Sequence, residues 1–295
     1  MLALATTFAR PADAGALAPE AVLARARALL DRAAAPVGSG LVLDAHLDAE
    51  RLAELVPLLI ARHDELPVVA LEDGSGLVGA AALAALDREE SRTAVARAEA
   101  TLRRAAAVGA RLVVLRLGWV EGARRDWTHA RDRFLRRALD ATLVQRMKAA
   151  RDAVAHVHLD RARAALDRLC RSADELGITL LLKNGQRYVE LPSPRELGLL
   201  RADFAGAPLR SLFDLPAAHL GDAMGFQPIA ITKAAFSGGP LVYSGDACGA
   251  VAALPPGRGE LGRAAIEEHL AGAPARCFRP WPALTDEEIA RGLHA

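Results

Sequence analysis

Two charged residues, Lys183 and Asp214, each come directly after a short apolar run and are the strongest candidates for chemistry. Lys183 ends the run 178–182, and Asp214 follows the run 209–213. If both runs are parallel strands, their carboxyl ends meet at one rim, and we expect the two side chains to form an ion pair there. A buried lysine with a depressed pKa could instead act as a base or form a Schiff base with a carbonyl substrate. A lysine that simply extends out of the rim is the plainer alternative.

Five further residues follow other apolar runs or lie in loops that could reach the same rim. Glu72 ends the run 67–71 and could supply a carboxylate, although with the next two residues, Asp-Gly, it equally suits a turn. Trp119 and Glu121 follow the run 112–117 and could form the wall of a substrate site or only pack. Arg187 and Arg258 lie in predicted loops and could bind a phosphate or carboxylate, or serve only the loop structure.

Other residues of metal-binding types do not form a convincing cluster. His156 and His158 lie two positions apart on a predicted helix and point in different directions, so we expect both to be solvent-exposed. The three cysteines, Cys170, Cys248 and Cys277, are far apart and odd in number. This pattern argues against a disulfide framework and a cysteine zinc site, and favours a reducing, cytoplasmic setting.

The chain alternates short apolar runs with longer segments of helical period. A parallel sheet buried on both faces gives such near-continuous apolar strands, and eight strand–helix units predict a (β/α)8 TIM barrel formed by residues 1–295 as a single domain. An open doubly wound sheet is the alternative, but no Gly-x-Gly-x-x-Gly follows the first run. Residues 126–176 are predicted as one long helix. The predicted strands are residues 2–6, 41–43, 67–71, 112–117, 178–183, 209–213, 240–244 and 275–278.

Charge and hydropathy limit the classes of ligand and partner that the protein could bind. Lys and Arg number 37 against 36 Asp and Glu, so the chain lacks the broad basic footprint of a nucleic-acid-binding protein. No apolar run approaches the roughly 20 residues that span a bilayer, and the first residues do not resemble a signal peptide. We therefore expect a cytoplasmic protein with a small-molecule ligand, no nucleic acid and no membrane. An anionic ligand would need a local cluster of Arg or Lys, and a homo-oligomer remains open.

Three segments, in order, resemble the xylose-isomerase-like TIM barrels, the superfamily of sugar-phosphate isomerases and epimerases that also includes endonuclease IV. Residues 105–115 are similar to the family's helix-to-strand join, residues 169–182 to its strand-five motif, and residues 256–261 to its Gly-x-Gly loop. The resemblance implies a divalent metal held by Glu, Asp and His at the strand ends. Such a metal polarises a sugar carbonyl or hydroxyl while paired carboxylates move protons.

Carried over position by position, the resemblance implies that most metal ligands are missing. The strand-five glutamate falls on Lys183, and the Asp-x-x-His after strand six keeps only Asp214. The strand-seven His-x-x-Asp matches Tyr243 to Asp246, with tyrosine in place of histidine, and residues 275–283 contain no carboxylate. A lone carboxylate does not hold such an ion. We therefore expect no cofactor, with a divalent metal as the fallback if other residues rebuild the site.

The sequence thus predicts a divergent sugar-phosphate isomerase- or epimerase-like barrel with a degenerate metal site. It would be a metal-independent isomerase, epimerase or lyase on a sugar-like or hydroxy-acid substrate; the alternative is a non-catalytic ligand-binding or scaffold protein. The resemblance also makes His46, after the second strand, a rim candidate, unless it is only an exposed loop residue. The catalytic candidates are Lys183, Asp214, Tyr243, His46 and Glu72, and the substrate-binding candidates are Trp119, Glu121, Arg187, Asp246 and Arg258.

Overall fold

Eight parallel strands form a closed barrel in the computed structural model, which describes residues 1–9, 18–45, 47, 49–77, 80–249, 251–281 and 283–293. Each strand pairs with the next along the chain, and the eighth pairs with the first. All eight predicted strands are present, and the predicted TIM barrel is confirmed. The strands are β1 Leu2–Ala5, β2 Gly40–Leu43, β3 Val68–Glu72, β4 Leu112–Leu115, β5 Thr179–Lys183, β6 Leu209–Asp214, β7 Val242–Ser244 and β8 Arg276–Phe278.

Helices surround the barrel, and none in the described ranges is long and apolar enough to cross a membrane. The prediction of one helix over 126–176 is wrong. The chain leaves the helix at Arg137, which has φ 56°, and a new helix starts where the Asp140 side chain accepts from the Leu143 N–H at 2.8 Å. The helices are α1 Pro19–Arg32, α2 Ala49–Ala61, α3 Arg88–Ala107, α4 Ala123–Leu135, α5 Ala141–Glu175, α6 Pro194–Asp203, α7 Leu215–Ala223, α8 Ile229–Phe236, α9 Gly262–Leu270 and α10 Asp286–Leu293.

The core has an inner layer inside the barrel and an outer layer between the strands and the helices. Side chains alternate along a strand, so Leu181 belongs to the inner layer while Leu180 and Leu182 belong to the outer one. By the same alternation, the residue two positions after an inner-layer residue also faces the barrel axis, nearer the mouth. The inner-layer residues that are followed, two positions later, by a residue facing the mouth are Val42, Ala70, Val114, Leu181, Leu212, Leu241 and Cys277.

Two small antiparallel sheets lie in the loops after the carboxyl ends of the strands. Gly118–Trp119 pairs with Glu190–Leu191, and Asp246–Cys248 pairs with Val251–Leu254. The first sheet joins the loops that follow β4 and β5, and the second is a hairpin within the loop that follows β7.

Candidate functional site

The predicted ion pair between β5 and β6 forms. Lys183 Nζ donates to Asp214 Oδ2 at 2.5 Å, and both side chains are buried. The other oxygen of Asp214, Oδ1, accepts from the Ala217 N–H at 3.1 Å, which makes Asp214 the N-cap of α7. The carboxylate is therefore held from two sides.

Asn184 fixes the relative position of the two strand ends. Its Nδ2 donates to the Asp214 carbonyl at 3.0 Å, and its Oδ1 accepts from the Asp214 N–H at 2.7 Å. This two-way bond continues the pairing of β5 and β6 by one side chain, so the Lys183–Asp214 pair stands on a rigid base.

A second charged network crosses the mouth from the opposite strands. Arg116, just after β4, donates through Nε and Nη2 to Glu72 Oε1 at 3.0 and 2.7 Å. Arg279, just after β8, donates to Asp44 Oδ2 at 2.9 Å and lies 3.6 Å from Glu72 Oε2. Sequence reasoning named neither arginine. The available signal was their place two residues after the inner-layer residues Val114 and Cys277.

The mouth thus contains equal numbers of anionic and cationic side chains, contributed by six strand ends. The three acidic residues are Asp44, Glu72 and Asp214, and the three cationic ones are Arg116, Lys183 and Arg279.

Burial lowers the pKa of Lys183, as do the charges of Arg116 and Arg279, although Asp214 opposes the shift. Burial alone would raise the pKa of Glu72, but Arg116, Arg279 and Lys183 hold it well below its usual value. Glu72 is therefore a fixed anion, and Lys183 is the mouth cation whose ionisation is most easily reversed.

Tyr243 lies between the two charged networks. Lys183 Nζ and the Arg279 guanidinium each lie 5.3 Å from the centre of its ring. Burial raises the pKa of the Tyr243 phenol well above its ordinary value, so the hydroxyl stays neutral and can donate a hydrogen bond. Among the described residues, three buried atoms of this region have no hydrogen-bond partner: Tyr243 Oη, Glu72 Oε2 and Arg279 Nε.

A small pocket of about 40 Å³ opens at this point, lined by Lys183, Asp214, Tyr243, Arg279 and Gln186, among others. One water needs roughly 10–15 Å³ by this measure. The pocket therefore has room for a few waters or for one polar end of a ligand, but a complete sugar would require side chains to move.

Among the described residues, the carboxylates of the mouth are already paired with cations. Asp44, Glu72 and Asp214 each bind a lysine or arginine. Across the described ranges, no group of three or more His, Cys, Asp or Glu side chains could hold a metal ion. An ion placed there would face the Lys183 and Arg279 cations, so its binding would require the ion pairs to separate.

The Asp246 carboxylate organises the loop before α9. It is completely buried and accepts backbone N–H bonds from the loop residues Gly257 and Gly259 at 3.0 Å and Leu261 at 2.9 Å. The Arg258 side chain extends from this loop to α10, where it pairs with Glu288 at 2.9 Å. Substrate binding would therefore require Asp246 to give up loop contacts and Arg258 to give up its ion pair with α10.

Glu121 and His158 form a set of hydrogen bonds that the sequence did not predict. The expected exposure of His158 is wrong, because the side chain is buried; His156 is exposed as expected. His158 Nδ1 lies 2.9 Å from the Ala84 carbonyl, and Nε2 accepts from the Glu121 N–H at 3.2 Å. The Glu121 carboxylate accepts from the Leu86 N–H at 3.1 Å. Glu121 therefore connects loops to α5.

The remaining candidates are spread around the rim. Trp119 packs partly buried against the cluster that contains Trp127 and Phe226. Arg187 lies 3.5 Å from Glu190 and lines a neighbouring pocket. His46 lies outside the described residues. Of the ten candidates, the structure brings Lys183, Asp214, Tyr243 and Glu72 together at the mouth.

Solved structures of other proteins share the barrel fold of this chain. L-ribulose 3-epimerase superposes with a TM-score of 0.66 at 17% identity, covering 99% of this chain and 85% of that one. The fold is that of the sugar epimerases. A second protein with this sugar-epimerase fold, 3-keto-D-glucoside 4-epimerase from E. coli, gives a TM-score of 0.63 at 13% identity, covering 99% and 97%. A third, D-psicose 3-epimerase from Clostridium cellulolyticum H10, gives 0.60 at 13%, covering 98% and 88%.

The sequence itself is far from characterised families. No protein-family model matches the chain, and no curated protein matches it. The resemblance inferred from three sequence segments is thus confirmed in the fold, while the chemistry must be argued from the mouth itself.

Proposed function

We propose that residues 1–295 act as one domain, a metal-independent isomerase, epimerase or lyase for a small sugar-like or hydroxy-acid substrate. The observation that carries the proposal is the group of buried atoms without hydrogen-bond partners, Tyr243 Oη, Glu72 Oε2 and Arg279 Nε, beside the Lys183–Asp214 pair. Buried polar atoms are nearly always satisfied, so the oxygens of a polar ligand suit this place. The epimerase names of the structural neighbours support a sugar-like ligand.

In the proposed mechanism, Lys183 and Asp214 move the proton. Lys183 passes a proton to Asp214 Oδ2 through their hydrogen bond, and the neutral amine removes a proton from the carbon next to the substrate carbonyl. The lowered pKa of Lys183 favours this neutral form. The C–H electrons move to the carbonyl oxygen, which becomes an enolate held by Arg279 and the Tyr243 hydroxyl. For isomerisation, the proton goes to the former carbonyl carbon while the neighbouring hydroxyl passes its proton to the enolate oxygen. For epimerisation, the planar enolate turns over before Lys183 returns the proton to its other face.

The degenerate metal site is part of the proposal. Lys183 stands where the family resemblance implies a metal ligand, and Lys183 and Arg279 each pair with a carboxylate. A fixed cation can stabilise an enolate oxygen electrostatically, which is the role a metal would otherwise have.

Non-catalytic ligand binding is the second candidate, and two observations favour it. The pocket measures about 40 Å³, well below the roughly 300 Å³ of typical ligand sites. The charges of the mouth also pair with one another, which stabilises the network without a substrate. In this alternative, a small ligand binds without any proton leaving its carbon.

Proton exchange separates these candidates. Ketoses and hydroxy acids would be incubated with the protein in D2O, with and without EDTA, and followed by proton NMR. We expect deuterium to enter next to the carbonyl of a substrate, to be insensitive to EDTA, and to stop in Lys183→Met. Lys233→Met, which removes a lysine bonded only to the Glu268 carbonyl, is the matched control and should exchange normally. Loss of exchange with EDTA, or its survival in Lys183→Met, would refute the mechanism. Ligand-induced thermal stabilisation without exchange would favour the non-catalytic alternative.

A further inference from the structure

A larger cavity lies outside the barrel mouth, between α5 and α6. Its volume is about 360 Å³, within the range of roughly 300–1,000 Å³ that small-molecule sites occupy. We call it the α5–α6 groove, and its polar lining includes Lys148, Asp152, His156, Tyr188, Arg195 and Gln227. None of these residues contributes to the mouth network described above.

The two acidic side chains of the α5–α6 groove both contact one buried arginine. Arg151 Nη2 donates to Glu196 Oε2 at 2.8 Å, and Arg151 Nη1 lies 3.2 Å from Asp152 Oδ1. The Tyr188 hydroxyl also donates to Asp152 Oδ1, at 3.0 Å. The two carboxylates share the charge of one arginine, so this cluster keeps one negative charge.

The basic side chains of the groove remain available. Within the part of the chain that the structure describes, Lys148, His156 and Arg195 have no ion pair or side-chain hydrogen bond. Lys148 and Arg195 come from different helices, α5 and α6, and line the same cavity. Together with Arg151, Lys148 and Arg195 outnumber the two carboxylates of the groove by one charge. This excess favours an anion, because Lys148 and Arg195 can donate charge-assisted hydrogen bonds to phosphate or carboxylate oxygens.

An intermediate pocket of about 50 Å³ lies between the groove and the barrel mouth. It shares Gln186 and Ala217 with the mouth pocket. The same intermediate pocket shares Tyr188 and Gln227 with the α5–α6 groove. Three neighbouring pockets therefore follow the loop after β5, from the Lys183–Asp214 pair to the groove.

We propose that the α5–α6 groove binds the anionic group, phosphate or carboxylate, of an elongated small molecule whose other end reaches the mouth. The anion-binding part stands on the groove alone, and the placement of the reacting end rests on the proposed function. The inference explains how a mouth with room for only a few waters could act on a sugar derivative: the mouth holds the reacting polar end, and the groove holds the rest.

The test is calorimetric titration with D-fructose 6-phosphate, D-gluconate and neutral D-fructose. Lys148→Gln and Arg195→Gln should each weaken binding of the charged ligands about five- to tenfold, as expected for one charge-assisted hydrogen bond. Arg146→Gln on α5 and Arg201→Gln on α6 remove exposed arginines that do not line the groove, and they are the matched controls. The preferred charged ligand identifies the anion as phosphate or carboxylate.

Equal binding of neutral D-fructose, or equal weakening by the control variants, would overturn the groove assignment. Lys183→Met separates the two proposals. If the groove variants weaken binding and Lys183→Met does not, the groove stands and the proposed mouth function fails. If Lys183→Met abolishes binding and the groove variants have no effect, the mouth function stands and the groove inference fails.

Discussion

Lys183 and Asp214 form a buried ion pair at 2.5 Å, across the ends of two adjacent barrel strands. Removing one member leaves the other charge buried without a partner, which typically costs about 3–5 kcal/mol. We therefore expect Lys183→Met to lower the free energy of unfolding by about that amount. The double variant Lys183→Met/Asp214→Asn should recover part of the loss, because no unpaired carboxylate remains. Urea unfolding measures both.

The control for this prediction is an exposed ion pair. Arg168 and Glu99 also pair closely, at 2.5 Å, but the Arg168 side chain is largely exposed. Exposed pairs contribute little to stability, so Arg168→Gln should change the free energy of unfolding far less than Lys183→Met does. A Lys183→Met effect no larger than that of Arg168→Gln would contradict the view that the mouth pair is buried and mutually dependent.

The buried, ion-paired Glu72 should make the stability of the folded protein sensitive to acid. Burial opposes its ionisation, yet Arg116, Arg279 and Lys183 hold its pKa below its usual value. In the unfolded chain a glutamate takes up a proton near pH 4.3, so below about this pH the unfolded state binds one more proton than the folded state. The contribution of Glu72 to stability is therefore present above about pH 4.3 and is lost as the pH falls towards the folded pKa.

The measurement is the free energy of unfolding of the protein and of Glu72→Gln between about pH 5 and about pH 3. The variant is expected to be less stable at neutral pH, because Arg116 loses its carboxylate partner. Its stability should also fall less steeply with acid, by up to about 1.4 kcal/mol per pH unit, the slope for one proton. Parallel slopes would show that Glu72 does not carry this sensitivity.

Much of the fold could be predicted from the sequence because each barrel strand is buried on both faces. A run such as Leu112–Leu115 is apolar at every position, and this signal does not depend on distant contacts. Helix α7 was not predicted, since Asp214 with Leu215 and Pro216 was compared with a metal motif. The same residues form a helix start, with an N-cap aspartate and a proline in the first turn.

The candidate site could be predicted only in part, for a different reason. Lys183 and Asp214 end their strands and stand out as the first charges after apolar runs. Arg116 and Arg279 follow their strands, and only the inward alternation of the preceding residues identifies them. Which carboxylate each arginine binds depends on how far its long side chain reaches across the barrel. No spacing within one strand encodes that distance.

The backbone at Gly239, just before β7, lies too close to β6 to leave room for a side chain. A Cβ at this position would lie 1.7 Å from the Ser211 carbonyl oxygen in β6, so backbone would have to move. We expect Gly239→Ala to destabilise the protein by more than about 2 kcal/mol. Gly198 in α6 is the matched control, because a Cβ there meets nothing within 4 Å. Gly198→Ala should be neutral or stabilise by up to about 1 kcal/mol. Thermal and urea unfolding compare the two, and similar losses in both would contradict the steric argument.

We expect the structure of the loop before α9 to depend on the Asp246 carboxylate. Its oxygens accept the N–H groups of Gly257, Gly259 and Leu261, so Asp246→Ala leaves several backbone donors without their partner. Each such loss costs about 1–3 kcal/mol, and the sum should lower the free energy of unfolding and speed hydrogen exchange at residues 257–262. Arg258→Gln is the control within the same loop. It breaks an ion pair with Glu288, and the Arg258 side chain is largely exposed. The variant should therefore lower the free energy of unfolding by less than about 1 kcal/mol. Unchanged exchange in Asp246→Ala would mean that the loop is held by other contacts, and the carboxylate would then be free for the substrate-binding role that the sequence predicted.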